Sequence, residues 1–166
     1  MLRQEREMFD ISVVMACLNE AETVGSCIEK AFHSFKILGL KGEVLVVDNG
    51  STDGSPEIAQ SYGARVVFEK KRGYGYACRR GLQEARGCLF VMADADGTYD
   101  LSDLKKMVHP LENGADFVIG SRLKGNMLPG SCHLFQIQSL FQEKDEHEQW
   151  RSCDGQQLQN ICEFLR

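Results

Sequence analysis

Short runs of apolar and β-branched residues alternate along this chain with segments whose apolar residues recur at helical spacing. This alternation limits the fold more than any other feature. The strand-like runs cover residues 11–16, 43–48, 64–68, 88–93 and 116–120, and the helical segments cover residues 20–38, 55 onwards, 74–86 and 102–108. Gly39 is expected to end the first helix, Ser102 to cap the last, and Pro110 to follow that last helix. Strands that alternate with helices predict an α/β fold, a mostly parallel sheet with helices on both faces.

Composition places this fold in an ordinary globular protein. The chain has 166 residues, 43% of them apolar, and a net charge of -5, which argues against nucleic-acid binding. Seven scattered cysteines include no C-x-x-C pair, which favours reduced thiols in the cytoplasm. The sequence shows no signal peptide and no run of about 20 apolar residues that would span a bilayer.

Two carboxylates, Asp94 and Asp96, stand directly at the end of the fourth predicted strand. Ligands bind beyond the carboxyl ends of strands in open α/β sheets. A close aspartate pair repels itself unless a cation neutralises it, and Mg²⁺ is commonly held by one or two carboxylates plus substrate phosphates. The pair therefore indicates a metal–diphosphate site. The alternative is structural, with Asp96 and Gly97 in a turn and Asp94 as a cap.

Acidic residues also follow the first two strands. Asn19 and Glu20 follow the first, and Asp48 ends the second, where its carboxylate could accept from a base N–H or a ribose hydroxyl. Each has a structural alternative: Asn19 and Glu20 could begin the first helix, and Asp48 could cap the turn at Asn49. Three acidic strand ends on one edge together suggest a nucleotide pocket that contains a cation.

Two basic segments could meet phosphate. Residues 70–72 are basic and precede a glycine-rich loop, residues 73–77, that opens a helix whose N–H groups are free. Arg122 follows the fifth predicted strand and could clamp a phosphate. The alternatives are a solvated charge run and a surface arginine. No Walker-type loop or hydrolase elbow is present, and a nucleotidyltransferase would need a glycine-rich loop after the first strand.

Four segments in one order carry a family resemblance: residues 11–20 (ISVVMACLNE), 46–54 (VVDNGSTDG), 92–100 (MADADGTYD) and 118–122 (VIGSR). The chain resembles family 2 glycosyltransferases, and among them the dolichyl- or polyprenyl-phosphate mannose and glucose synthases. The resemblance implies a GT-A fold, a Rossmann-like sheet that binds a nucleotide sugar. It also implies inverting transfer of the sugar, with UDP or GDP as the leaving group, to a polyprenyl or dolichyl phosphate at the cytoplasmic face of a membrane or to another acceptor.

The resemblance assigns roles by position. Asp48 would contact the base, while Ala16, Leu18, Asn19 and Glu20 would line the nucleotide pocket. Asp94, Ala95 and Asp96 would hold the ribose and diphosphate, with Asp94 and Asp96 binding Mg²⁺ or Mn²⁺. Asp96 and Arg122 are the residues expected to act on the reacting phosphates.

The motifs end near residue 130, so residues 10–130 are expected to be the nucleotide-sugar half. Residues 131–166 hold seven glutamines, against three in the first 130 residues, and six acidic residues against three basic ones. This tail is expected to be weakly helical or disordered and foreign to the family, as a truncated chain would show. The alternative function is therefore a non-catalytic nucleotide-binding module that lacks the acceptor site.

Overall fold

The computed structural model describes residues 9–120, and there four strands and four α-helices alternate as predicted. The strands are β1 (Phe9–Cys17), β2 (Gly42–Asp48), β3 (Arg65–Phe68) and β4 (Gly87–Asp94), and the helices are α1 (Val24–Leu38), α2 (Ser55–Ser61), α3 (Tyr74–Glu84) and α4 (Leu104–Glu112). Two compact units divide at Lys106, so the sheet and helices α1 to α3 all belong to the first. Within residues 9–120, no helix has the length and apolar character needed to cross a membrane.

The sheet has the strand order β3-β2-β1-β4, and every pair is parallel. Val13 of β1 lies opposite Val44 of β2 on one side and Val91 of β4 on the other. The chain moves outward from β1 to β2 and β3, then returns past β1 to form β4. This reversal makes the carboxyl ends of β1 and β4 a topological switch point, the place where open α/β sheets bind ligands.

Helices cover both faces of the sheet, as the alternation predicts. Helix α3 packs so closely on one face that a Cβ atom at Gly81 would lie 2.2 Å from Val14 and 3.2 Å from Val47. Gly42 of β2 lies against the ring of Phe35 in α1. Since Gly42 and Val47 have opposite parity along β2, α1 covers the other face. Both faces of β1 are consequently buried, which explains its continuous apolar sequence.

The fifth strand predicted at residues 116–120 is wrong: the structure gives that segment no regular secondary structure. Phe117 and Ile119 are 76% and 72% exposed. An apolar run indicates strand propensity only, whereas a strand forms when a neighbouring strand supplies backbone partners. The sheet of the described residues accordingly has four strands.

The start and end predicted for the last helix also need correction. Asp100, not Ser102, is the cap, and its carboxylate accepts from the Ser102 amide at 3.1 Å. A 3₁₀ turn, Leu101–Asp103, then leads into α4, which contains Pro110 instead of ending before it. Asp100 precedes the free amides and can reach them, which is the geometry an N-cap needs.

Candidate functional site

A pocket of about 270 Å³ lies at the switch point between β1 and β4. Its lining residues are Ala16, Cys17, Leu18, Glu20, Asn49, Tyr74, Ala77, Asp94, Ala95 and Asp96. The fold thus brings together six of the predicted site residues, from the ends of two strands and the loops after them, almost 80 positions apart in sequence. Asn19 and Asp48 lie beside the pocket without lining it. Arg122 and the tail of residues 131–166 lie outside the described residues.

A larger and more open hollow of about 480 Å³ lies on the outer side of α1, lined by Glu29, Lys30, Phe32, His33 and Tyr62. It is remote from the strand ends and contains no carboxylate pair. Chemistry and topology therefore both select the smaller pocket as the candidate site.

Ala95 fixes the backbone between the two pocket aspartates. It is 1% exposed, and its N–H donates to the Ala16 carbonyl at 3.3 Å. Its own carbonyl accepts from the Thr23 hydroxyl at 2.7 Å and from the Cys27 thiol at 3.6 Å. This anchoring to β1 and α1 holds Asp94 and Asp96 at the pocket wall.

The two aspartates have different local partners. Asp94 Oδ1 accepts from the phenol of Tyr74 at 2.8 Å. Asp96, an exposed residue in the following turn, accepts from the Thr98 amide at 2.8 Å and from the Thr98 hydroxyl at 2.7 Å. The turn expected as the structural alternative is therefore present, and both carboxylates still line the pocket.

Tyr74 is a site residue that the sequence reasoning missed. Burial, and then the hydrogen bond to Asp94, raise the pKa of Tyr74 well above its ordinary value of 10. The phenol therefore stays protonated at physiological pH and acts as a donor. The glycine-rich loop pointed to this segment, but nothing in the sequence indicated that a tyrosine would reach an aspartate twenty residues later.

Asn19 and Glu20 do not begin helix α1, because the helix starts at Val24 with Thr23 at its N-cap. Asn19 instead adopts a left-handed conformation, with φ of 60°. Its side-chain oxygen accepts from the Thr52 amide at 2.8 Å, and the Glu20 amide donates to the Ser55 hydroxyl at 2.8 Å. The loop after β1 is thus tied to the loop after β2.

Asp53 completes this link between the two loops. One carboxylate oxygen accepts from the Ala21 amide at 2.9 Å, and the other accepts from both the hydroxyl and the amide of Ser55. The hydrogen bond from the Ser55 hydroxyl, followed by those from the amides, lowers the pKa of Asp53 below its ordinary value. Asp53 is therefore ionised at neutral pH, and it positions the Ser55 hydroxyl that accepts from the Glu20 amide.

Asp48 caps the turn that follows β2. It is 3% exposed and accepts from the amides of Gly50 at 3.0 Å and Ser51 at 3.1 Å. This is the structural alternative that the sequence left open. A carboxylate can accept about four hydrogen bonds, so capping does not by itself use the whole acceptor capacity of Asp48.

Asn49 anchors the basic loop, residues 70–72, and is a second site residue that the sequence did not reveal. Its amide donates to the carbonyls of Glu69 at 3.1 Å and Lys71 at 2.8 Å, and its oxygen accepts from the Gly73 amide at 2.7 Å. Asn49 is 5% exposed, so these bonds form away from water. The side chains of Lys70, Lys71 and Arg72 are exposed, while the loop that carries them is fixed in front of α3.

The thiols at the pocket are protonated at neutral pH. Cys17 lines the pocket and is 2% exposed. Burial raises its pKa and that of Cys78, which lies beside Tyr74. A protonated buried thiol is a poor nucleophile and a poor metal ligand, so the carboxylates are the anionic groups of this site.

The two carboxylates of the pocket suit a divalent metal ion whose remaining ligands come from the bound molecule. The described residues contain no group of three or more His, Cys, Asp or Glu side chains placed to hold an ion. Two carboxylates are nevertheless the usual protein share of a Mg²⁺ site when phosphates supply further oxygens. Within residues 9–120, Asp94 Oδ2 accepts no hydrogen bond, so it remains available to such an ion.

Known proteins are similar to this chain in sequence and in fold. The model of glycosyl transferase family 2 matches residues 12–162, which extends beyond residue 130, where the recognisable motifs end. The low-salt glycan biosynthesis hexosyltransferase of Haloferax volcanii is 43% identical over 122 residues, which are 73% of this chain and 29% of that protein. A dolichyl-phosphate hexose transferase of the same organism is 35% identical over 114 residues, covering 69% of this chain and 48% of that protein.

A solved glycosyltransferase structure is also similar to this chain. Glucosyl-3-phosphoglycerate synthase of Mycobacterium tuberculosis, crystallised with Mn²⁺, UDP-glucose and phosphoglyceric acid, matches with a TM-score of 0.54 and 30% identity. The match covers 64% of this chain and 40% of that one. The chain thus spans less than half the length of these relatives. On the family match, the motifs and the Rossmann-like sheet together, the chain belongs to glycosyl transferase family 2.

Proposed function

We propose that the pocket between β1 and β4 binds a UDP- or GDP-linked sugar with Mg²⁺ or Mn²⁺. The observation that carries this proposal is the meeting of Asp94 and Asp96 with Glu20 at the topological switch point. A concave site with converging polar groups is the usual form of a small-molecule site. The solved relative that contains Mn²⁺ and UDP-glucose supports the same ligand class.

The proposed roles follow the placement of each residue. Asp94 and Asp96 would hold the metal together with phosphate oxygens of the donor. Ala16, Leu18 and Glu20 form the wall on the β1 side, and Ala95 forms the floor between the carboxylates. Asn19 keeps this wall in place through the Thr52 amide. Asp48 contacts the base by accepting a further hydrogen bond, in addition to those from the turn amides.

The reaction proposed is inverting transfer of the sugar. Departure of a nucleoside diphosphate builds negative charge on the leaving oxygens, and a divalent ion there would supply Lewis-acid stabilisation of that charge. Asp94 and Asp96 would hold such an ion in place before the reaction, so that little reorganisation would be needed when the charge develops. Arg122 is proposed to meet a phosphate of donor or acceptor by its bidentate geometry.

The acceptor is proposed to be a polyprenyl or dolichyl phosphate. Its phosphate oxygen is already an anion, so the transfer needs no strong general base. Relatives named dolichyl-phosphate hexose transferase and dolichol-phosphate mannosyltransferase support this acceptor class. A lipid acceptor would place the reaction at a membrane surface. The cysteines Cys17, Cys27, Cys78 and Cys88 are free, which supports the cytoplasmic side, where thiols stay reduced.

Transfer from a radiolabelled UDP- or GDP-sugar to polyprenyl phosphate in detergent micelles tests this proposal. The chain is expected to form a labelled lipid only when Mn²⁺ or Mg²⁺ is added. Asp94→Asn is expected to remove that product, whereas Asp103→Asn, an exposed aspartate outside the pocket, is expected to keep it. Metal-dependent nucleotide binding without any transfer would instead support the non-catalytic nucleotide-binding module.

A further inference from the structure

Tyr74 joins two parts of the pocket that come from different segments of the chain. It is the first residue of α3, and its phenol donates to Asp94 Oδ1 at the end of β4 at 2.8 Å. The residue as a whole is 61% exposed. Tyr74 therefore owes its conformation to this hydrogen bond and to the loop before it more than to core packing.

The loop before Tyr74 is itself fixed from the end of β2. The Gly73 amide donates to Asn49 Oδ1 at 2.7 Å, and Gly73 has a φ of 134°, a conformation that favours glycine. Beyond Tyr74, the helix is anchored by Ala77 and Cys78, which are 1% and 6% exposed. The phenol thus reaches Asp94 from a backbone that is held on both sides.

The hydrogen bond leaves the two oxygens of Asp94 in different states. Oδ1 accepts from the phenol, while Oδ2 accepts from no residue among 9–120. A carboxylate without such a donor can rotate and must be ordered when a ligand arrives, which costs affinity. A donor fixed on one oxygen restricts this rotation and presents the other oxygen in one orientation.

We propose that Tyr74 is a positioning residue that orders the Asp94 carboxylate for the metal–diphosphate part of the ligand. This inference rests on the proposed function, because it assumes that Asp94 binds that part of the donor. Tyr74 acts through Asp94 and takes no direct role in the transfer. Hydrogen bonds to charged groups are among the stronger ones in proteins, so the effect on binding is measurable.

Tyr74→Phe tests the inference because it removes only the phenol oxygen. Tyr76→Phe is the matched control: it removes the same atom two residues later, from a residue that is 46% exposed and whose hydroxyl bonds to none of residues 9–120. The measurement is electron paramagnetic resonance of free Mn²⁺ during titration of each variant, in the presence of UDP or GDP. Urea unfolding of each metal-free variant accompanies it.

The expected result is a roughly tenfold weaker apparent affinity for Mn²⁺ in Tyr74→Phe, with less than about a twofold change in Tyr76→Phe and closely similar urea midpoints. Equal affinities in both variants would overturn the positioning role. A loss in Tyr74→Phe that comes with a matching fall in the urea midpoint would also overturn it, because the tyrosine would then be structural. If the unsubstituted chain binds no Mn²⁺ with either nucleotide, the proposed function fails, and this inference fails with it.

Discussion

Asp96→Asn is expected to abolish metal-dependent nucleotide binding while the fold stays intact. The residue is exposed and lies in the turn after β4, where asparagine can still accept from the Thr98 amide. The substitution therefore removes one negative charge and one anionic oxygen from the pocket, together with the bond that the exposed Thr98 hydroxyl donates. Altering outer-sphere partners of metal ligands already costs roughly 10- to 100-fold in affinity, so loss of a ligand should cost at least roughly 100-fold.

Titration with Mn²⁺ and a nucleoside diphosphate measures this loss, and circular dichroism shows whether the fold is kept. Asp103→Asn is the matched control, because Asp103 is an exposed aspartate whose partner is Lys106 at 2.7 Å. Less repulsion from Asp94 should leave the metal-free protein at least as stable as the unsubstituted chain. Unchanged nucleotide affinity in Asp96→Asn would show that this residue is not a metal ligand.

Glu43→Ala is expected to lower the free energy of unfolding by a clearly measurable amount. Glu43 is 6% exposed. Its carboxylate accepts from the Ser12 hydroxyl at 2.8 Å and the Arg86 amide at 2.7 Å, and it pairs with Arg65 at 3.1 Å. Removing the carboxylate leaves the buried Ser12 hydroxyl without its acceptor and costs about 1 to 3 kcal/mol, while Arg65 keeps the Glu84 carboxylate as a partner at 3.7 Å.

Urea unfolding measures this cost, with Asp103→Ala as the control. The ion pair of Asp103 with Lys106 is exposed, and such pairs contribute about 0 to 1 kcal/mol. Glu43→Gln keeps the shape and an acceptor for Ser12 and Arg86, so its free energy of unfolding should lie between those of Glu43→Ala and Asp103→Ala. This variant should remain folded even if Glu43→Ala does not. Equal unfolding free energies for Glu43→Gln, Asp103→Ala and the unsubstituted chain would show that the buried carboxylate contributes no net stability.

The sequence predicted the four described strands from their short apolar runs, and the helices between them chiefly from the helical spacing of their apolar residues. Burial on both faces makes β1 and β2 largely apolar, and such a pattern depends on neighbouring residues along the chain. Strand order depends instead on where each connection crosses the sheet. Patterns within one segment do not encode it, so the position of β4 beside β1 came from the structure.

A local apolar run does not show whether another strand lies beside it, and residues 116–120 illustrate this. Phe117, Val118 and Ile119 have the residue types of a strand, but a strand also needs a neighbouring strand to pair with. The same limit applies to the cap of the last helix, where Asp100 and Ser102 are both good N-cap residues. Which one reaches the free amides depends on the path of the chain and not on residue type.

The candidate site was predictable where it follows strand ends and hidden where it depends on contacts between loops. Asp94 and Asp96 were identifiable because they directly follow an apolar run. The bond from Tyr74 to Asp94 and the bonds of Asn49 to residues 69–73 join positions about twenty residues apart. No local pattern marks such pairs, although they determine how the pocket is held.

Titration calorimetry of the purified chain with UDP and GDP, each with and without Mn²⁺, measures directly whether the pocket is a metal-dependent nucleotide site. One of the two nucleotides is expected to bind, and only when the metal is present. That result would also identify the donor class. A folded protein, shown by circular dichroism, that binds neither nucleotide in the presence of Mn²⁺ would show that the pocket is not such a site.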